Sequence, residues 1–112
     1  MGRELRRSPR FPFVAVAELS HAESGEKLAS TVAELSLNGC YVDMLNTFPV
    51  GSVMTIKIFA ESDCFQATAK VIYTHPNLGM GMAFQEVSIK NGELLRGWLV
   101  KAGGALGKPD EI

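Results

Sequence analysis

Residues 53–74 read VMTIKIFAESDCFQATAKVIYT, and this stretch decides the fold class. Apolar and polar side chains alternate over residues 53–59, which is typical of a β-strand with one buried face. Residues 61–63 then turn the chain back, and residues 64–74 predict the longest strand of the protein. Four residues of this strand are predicted to share one face: Ala67, Ala69, Val71 and Tyr73. The stretch therefore predicts an antiparallel β-hairpin.

Four more segments have strand-like patterns, and turn residues separate them. They cover residues 11–19, 27–35, 39–44 and 78–84. After Ser88 the apolar residues recur at helical spacing, with Ser88 or Asn91 as the N-cap and Gly103-Gly104 as the end of the helix. Six short strands followed by one helix predict an all-β fold, a six-stranded antiparallel barrel with a C-terminal α-helix packed on it.

The composition is that of an ordinary globular domain. The chain has 112 residues, of which 46% are hydrophobic and 21% are charged, and this length fits one domain. Its apolar runs are shorter than the roughly 18 residues that a membrane span needs. The first residues also lack the apolar core of a signal peptide. We therefore expect a cytoplasmic protein without membrane insertion.

Groups that could support catalysis or bind a metal are sparse. His21 and His75 lie in predicted turns, without a neighbour at a spacing that suggests a catalytic triad. The sequence has neither a glycine-rich phosphate loop nor a cluster of metal ligands. Cys40 and Cys64 are too few for a zinc site or a disulfide framework, and both are predicted to be buried thiols. We expect no enzymatic activity, no metal and no cofactor.

Arginine is concentrated at the N-terminus. Four of the five arginines lie in the first ten residues, although the net charge of the chain is −1. Arginine binds phosphates and purine edges in a bidentate manner, so this asymmetry favours a small anionic ligand over a long nucleic acid. Pro9 and Pro12 keep the segment out of a helix. We expect three regions: a flexible ligand-binding arm at 1–10, the barrel with its helix at 11–103, and a tail at 104–112.

Three short patterns follow one another along the chain: RRSPR at 6–10, ELSLNG at 34–39 and GMGMAF at 79–84. Taken separately, they fit a basic tail, a β-turn and glycines at a barrel bend. Taken together and in this order, they resemble the PilZ domain family, which has RxxxR before its first strand, [D/N]xSxxG between its second and third strands, and often GxGxxF in its last. The matching residues are Arg6, Arg10, Ser36, Gly39, Gly79, Gly81 and Phe84. Glu34 stands where the family has Asp or Asn.

The resemblance implies a PilZ-type (split or Greek-key) barrel that binds cyclic di-GMP without catalysis. In the family, the arginines of the first motif clamp phosphates and guanine edges, and the second motif holds a guanine from the other side. A good arginine–guanine pair contributes about 1–3 kcal/mol in nucleic-acid complexes. The ligand-binding residues implied in this chain are Arg6, Arg7, Arg10, Glu34, Ser36, Gly39 and Gly81.

Residues 1–10 have no apolar periodicity and carry several like charges, and this suggests a mode of signalling. We expect the arm to be mobile without ligand, to become ordered when cyclic di-GMP binds, and so to present a new surface to a protein effector. One alternative is a PilZ-like adaptor that binds protein but not cyclic di-GMP. Another is an oligonucleotide-binding barrel, which the lack of a basic groove beyond the arm disfavours. Family members that bind two ligand molecules have Arg immediately before the first motif, whereas this chain has Leu5 there. This difference favours one ligand molecule per domain. Arg3 and Arg7 leave a second ligand molecule open.

Overall fold

The computed structural model describes residues 10–103, which form a closed antiparallel barrel and one helix. The strands are β1 (Phe11–His21), β2 (Lys27–Leu35), β3 (Gly39–Asp43), β4 (Val53–Ala60), β5 (Asp63–His75) and β6 (Gly79–Glu86), and the helix is α1 (Ile89–Gly103). All six predicted strands and the predicted helix are confirmed. The predicted strand ends lie within two residues of the observed ones.

The strands follow the order β1-β2-β3-β6-β5-β4 around the barrel, and β4 pairs with β1 to close it. Consecutive strands are therefore neighbours except for β3 and β4, whose connection crosses to the other side of the barrel. The closing pairs between β1 and β4 extend from Val16 to His21 on β1. Among residues 10–103, no helix is long and apolar enough to cross a membrane.

Apolar side chains from every strand fill the barrel. On β4, for example, Met54, Ile56 and Ile58 are fully buried, whereas the residues between them face outwards. Complete burial of such a side chain contributes about 1.5–3 kcal/mol. The largest fully buried side chains are Phe65, Leu19, Leu35, Met54, Ile56, Ile58, Met80, Met82, Leu95, Val32, Val42 and Val71.

Helix α1 packs against β1 and β5 through a small apolar face. Leu95, Trp98 and Leu99 are its buried residues. The indole of Trp98 stacks on Phe13 of β1 with 5.4 Å between ring centroids. This contact attaches the helix to the beginning of β1, next to the arginine-rich segment.

Ser88 is the N-cap of α1. Its Oγ accepts a hydrogen bond from the backbone N–H of Asn91 at 3.1 Å, which satisfies one of the free donors of the first helical turn. Asn91, the other predicted cap, has a different function. Its Oδ1 accepts a hydrogen bond from the backbone N–H of Gln66 at 2.9 Å and so ties the helix to β5.

The strand register shifts at four places among the described residues: between Pro12 and Ala15, Val32 and Glu34, Thr68 and Ala69, and Val71 and Tyr73. The second and the fourth of these β-bulges determine which side chains face outwards near the arginine-rich segment. On β2, Val32 pairs with Val42 and Glu34 with Tyr41, so that Ala33 has no partner on β3. On β5, Val71 pairs with Met82 and Tyr73 with Gly81. A bulged residue exchanges the inner and outer faces for the residues that follow it. The bulge on β2 turns Glu34 outwards from the barrel, although Val32 two positions earlier points inwards.

The bulge between Val71 and Tyr73 corrects the predicted face of Tyr73. Ala67, Ala69 and Val71 do share the buried face of β5, as predicted. Tyr73 was predicted to follow them, and this prediction is wrong. The register shift between Val71 and Tyr73 moves its side chain to the outer surface, where it is half-buried.

The two cysteines differ in exposure. Cys40 is buried, as predicted, but Cys64 is exposed, and its prediction as a buried thiol is wrong. The reason is strand alternation, because the adjacent Phe65 points into the core and Cys64 therefore points outwards. Burial raises the pKa of the Cys40 thiol to about 12.

We expect a thiol reagent such as DTNB to modify only one cysteine of the native protein rapidly. Cys64 should react, whereas Cys40 should react only after unfolding, because the thiolate is the reactive form and burial disfavours it at Cys40. Absorbance at the reagent's product wavelength, with and without denaturant, measures this difference. Cys64→Ser should remove the fast phase, and two fast thiols in the native parent would contradict the described burial.

Candidate functional site

The first two sequence patterns meet in one ion pair on the outside of the barrel. Nη1 of Arg10 donates a hydrogen bond to Oε1 of Glu34 at 3.0 Å, although the two residues are 24 positions apart. The register of β1 and β2 explains the contact, since Pro12 pairs with Glu34. The side chains of Arg10 and Glu34 are 30% and 44% exposed, so both remain within reach of a ligand from solvent.

Arg10 has a second partner. Its guanidinium carbon lies 5.9 Å from the centroid of the Tyr73 ring, within the range of a cation–π interaction. The hydrogen bond to Glu34 raises the pKa of Arg10 and outweighs the opposing effect of partial burial. The guanidinium is therefore always charged. A partly exposed ion pair contributes only about 0–1 kcal/mol, so an anionic ligand can compete with Glu34 for Arg10.

The position of Arg10 refines the expectation of a mobile arm. We predicted that residues 1–10 are free of the barrel without ligand, but Arg10 already contacts Glu34 and Tyr73 in the structure. Arg6 and Arg7 lie outside the described residues. Their mobility and their contribution to ligand binding stay predictions.

Ser36 organises the turn between β2 and β3. Its Oγ accepts hydrogen bonds from the backbone N–H groups of Asn38 at 3.2 Å and Gly39 at 3.1 Å. It also donates to the carbonyl oxygen of Gly39 at 3.3 Å. Ser36 is only 8% exposed. The predicted tight connection is thus confirmed, and the hydroxyl holds its shape, whereas a direct contact of Ser36 with a ligand stays a prediction.

Gly39 is required at this turn by packing. The Asn-Gly pair predicted a turn because glycine tolerates a positive φ, yet Gly39 is not among the described residues that have one. Instead, a Cβ at Gly39 would overlap the backbone carbonyl of Met82 on β6. The glycine therefore allows β3 and β6 to approach each other where the second sequence pattern ends.

Tyr41, Tyr73 and His75 form an aromatic layer beside the ion pair. The ring centroids of Tyr41 and Tyr73 are 6.2 Å apart, and those of Tyr41 and His75 are 5.7 Å apart. Tyr73 and His75 are 5.3 Å apart. The hydroxyl of Tyr41 and Nδ1 of His75 are joined by a 3.0 Å hydrogen bond. Burial is the main cause of a raised pKa for Tyr41, so its phenol is neutral at physiological pH.

The glycines of the third sequence pattern make room for this layer. Gly81 pairs with Tyr41 on one side and Tyr73 on the other. A Cβ at Gly81 would overlap the Tyr73 ring, and one at Gly79 would lie 2.7 Å from a ring carbon of Tyr41. The two rings therefore rest on the bare backbone of β6. Whether Gly81 itself contacts a ligand stays a prediction.

The aromatic layer was missed in the sequence analysis. Its members come from β3 and β5, which are separated by β6, so only the register brings them together. The glycines in a predicted strand were the available indication, because a bare backbone often accommodates large neighbouring side chains. Within residues 10–103, no group of three or more His, Cys, Asp or Glu side chains is placed to hold a metal ion.

The combination of this barrel with the three ordered sequence patterns matches one known family. The family model described as PilZ domain matches residues 4–101. The chain belongs to the PilZ domain family. No protein sequence with a curated description matches it significantly.

Similar solved structures agree with this assignment. The PilZ domain with c-di-GMP of YcgR from Escherichia coli is 17% identical, with a TM-score of 0.72 over 96% of this chain and 98% of that one. The PilZ domain of CeSA from a cellulose-synthesizing bacterium is 16% identical, with a TM-score of 0.66 over 82% and 99%. The K. pneumonia MrkH–c-di-GMP complex is 14% identical, with a TM-score of 0.69 over 92% and 54%. At these identities the likeness shows a shared fold, and the chain spans about half the length of MrkH.

We expect Ser36→Ala to destabilise this PilZ domain by about 1–3 kcal/mol, because the backbone donors of Asn38 and Gly39 lose their partner. The Gly39 carbonyl keeps its hydrogen bond from the Ser36 N–H. Ser24→Ala is the matched control, since Ser24 is exposed and accepts a single hydrogen bond from the Glu26 N–H. The control should change the free energy of unfolding by less than about 0.5 kcal/mol. Urea unfolding of the parent and both variants measures the difference, and equal losses would contradict the organising function of Ser36.

Proposed function

We propose that this PilZ domain is a receptor for cyclic di-GMP that passes the signal to a protein effector. The contact between Arg10 and Glu34 carries the proposal. It brings the last residue of the arginine motif within 3.0 Å of the residue that begins the second motif. The solved structures of YcgR and MrkH with cyclic di-GMP support the same ligand for a protein with this fold.

The chemistry of the pair fits the two kinds of group in the ligand. Cyclic di-GMP has two phosphates and two guanines. The guanidinium of Arg10 can donate two parallel hydrogen bonds to a phosphate or to guanine O6 and N7. The carboxylate of Glu34 can accept hydrogen bonds from guanine N1–H and N2–H. Glu34 is one methylene longer than the Asp of the family motif, and the β2 bulge turns its side chain to the outer face of the barrel, next to Arg10.

Binding would also order the arm. Arg6 and Arg7 precede Arg10 by a few residues, so a ligand held at Arg10 lies within their reach. Because Arg10 is already attached to the barrel, the ordering cost falls on residues 1–9 alone. We propose that this ordering changes the surface beside β1 and that the effector recognises the changed surface. The ligand thus interacts differently with two states of the arm, as a switch requires.

Calorimetry of the purified protein with cyclic di-GMP tests the proposed function. We expect a dissociation constant in the nanomolar to low-micromolar range, or roughly −8 to −11 kcal/mol. GTP and linear pGpG are the controls and should bind much more weakly, because neither presents two guanines on a closed ring of two phosphates. An absence of heat at saturating ligand would favour an adaptor without cyclic di-GMP. Tight, length-dependent binding of single-stranded oligonucleotides would contradict both functions.

Variants of the ion pair test which residues hold the ligand. We expect Arg10→Ala to weaken binding by at least about 1.5 kcal/mol, because a charge-assisted contact is lost. Glu34→Ala should cost about 1–3 kcal/mol by leaving guanine donors unpaired, whereas Glu34→Asp should preserve or tighten binding. Arg96→Ala is the control, since Arg96 is an exposed arginine on α1.

The same calorimetric titrations measure all four variants. The stability of the ligand-free domain should change by no more than about 1 kcal/mol in Arg10→Ala, since the ion pair is partly exposed. A Glu34→Ala variant that binds like the parent would place Glu34 outside the guanine site. A loss as large in Arg96→Ala as in Arg10→Ala would mean that net charge, rather than this site, determines the affinity.

A further inference from the structure

The aromatic layer and the ion pair lie on one row across the outside of the barrel. Pro12 pairs with Glu34, Glu34 with Tyr41, Tyr41 with Gly81, and Gly81 with Tyr73. Directly paired residues have their Cβ atoms about 4.5–5.5 Å apart and point to the same side of the sheet. Tyr41 is therefore the immediate neighbour of the Glu34 carboxylate. Tyr73 lies at the other end of the row, next to the Arg10 guanidinium.

We propose that Tyr41 is a stacking platform for one guanine of the ligand, an inference that rests on the proposed function. A base on this ring would lie beside the Glu34 carboxylate and close to the Arg10 guanidinium. Tyr73 and His75 would flank it. Tyr41 has not been assigned to the ligand site by the sequence patterns, which end at Gly39 in this part of the chain.

The rings are fixed in place and accessible at the same time. Tyr41 and Tyr73 are half-buried and His75 is exposed, so part of each ring reaches solvent. The backbone of Gly79 and Gly81 lies beneath the two tyrosines, so these two positions of β6 add no side chain that competes with the rings for space. The hydrogen bond between the Tyr41 hydroxyl and His75 Nδ1 helps to hold the Tyr41 side chain in place. A platform that is already ordered loses little conformational entropy when a base binds.

The neighbours of Tyr41 favour guanine over adenine. A π face alone stacks on any base. Guanine, however, carries the N1–H and N2–H donors on the edge that would meet Glu34, whereas adenine carries an acceptor at N1. The carboxylate would therefore attract the guanine edge and repel the adenine nitrogen. Arg10 is hydrogen-bonded to Glu34 and lies 5.9 Å from the centroid of the Tyr73 ring. It could therefore donate a hydrogen bond to guanine O6, which lies next to N1–H on the same edge of the base.

Substitutions of Tyr41 test the platform by calorimetry with cyclic di-GMP. We expect Tyr41→Leu to weaken binding roughly 5- to 150-fold, as for the loss of one aromatic–base stack. Tyr41→Phe keeps the π face and should retain most of the affinity. Phe59→Leu is the matched control, because Phe59 is an exposed aromatic residue on β4, away from the row. It should bind like the parent.

The outcomes separate this inference from the proposed function. A parent that does not bind cyclic di-GMP contradicts both. A parent that binds, together with a Tyr41→Leu variant of equal affinity, overturns the platform and leaves the receptor function intact. If Tyr41→Leu fails to fold, nuclear Overhauser contacts in the saturated parent decide the matter. Contacts between guanine H8 and the Tyr41 ring protons support the platform, and their absence overturns it.

Discussion

The candidate site depends on two β-bulges. In a regular strand, Glu34 would follow Val32 into the barrel, and Tyr73 would follow Val71. A buried carboxylate without a partner would be costly, and so would a buried tyrosine hydroxyl without one. The register shifts at β2–β3 and β5–β6 reverse the alternation and bring both side chains to the surface. The two bulges thus keep Glu34 and Tyr73 out of the core and place both side chains on the outer surface of the barrel.

The glycines of β6 make room for the aromatic rings of the candidate site. The strand between the two tyrosines presents backbone instead of side chains at Gly79 and Gly81, so the rings lie close against the sheet. Arg10 contacts this row at two residues: it is hydrogen-bonded to Glu34, and it lies over the ring of Tyr73. A cation, a carboxylate and π faces on one surface are the groups that a guanine dinucleotide needs. The ion pair is weak enough to rearrange when such a ligand arrives.

Most of the fold could be predicted because strand alternation, turn residues and helical spacing are local properties of the chain. The bulges could not be predicted, because a bulged residue is defined only by the way its strand pairs with a neighbouring strand. The one indication was a conflict: the alternation that buries Val32 would also bury Glu34. The exposed Cys64 was predicted wrongly because its position relative to Phe65 was not taken into account. Arg10 and Glu34 were predicted as ligand-binding residues with the help of the family motifs, and their contact with a ligand stays a prediction. Tyr41, Tyr73 and His75 come together only in the barrel.

The most direct test of the central claim, that cyclic di-GMP binds on this row, is an amide chemical-shift titration of the ¹⁵N-labelled protein. We predict that the largest changes occur at Arg10, at residues 34–41 and around Tyr73 and Gly81. The outer face of β1 and β4, represented by Val16 and Phe59, should remain unchanged. Saturable binding whose shifts instead cluster where α1 is hydrogen-bonded to β5, around Gln66 and Asn91, would contradict this location of the site.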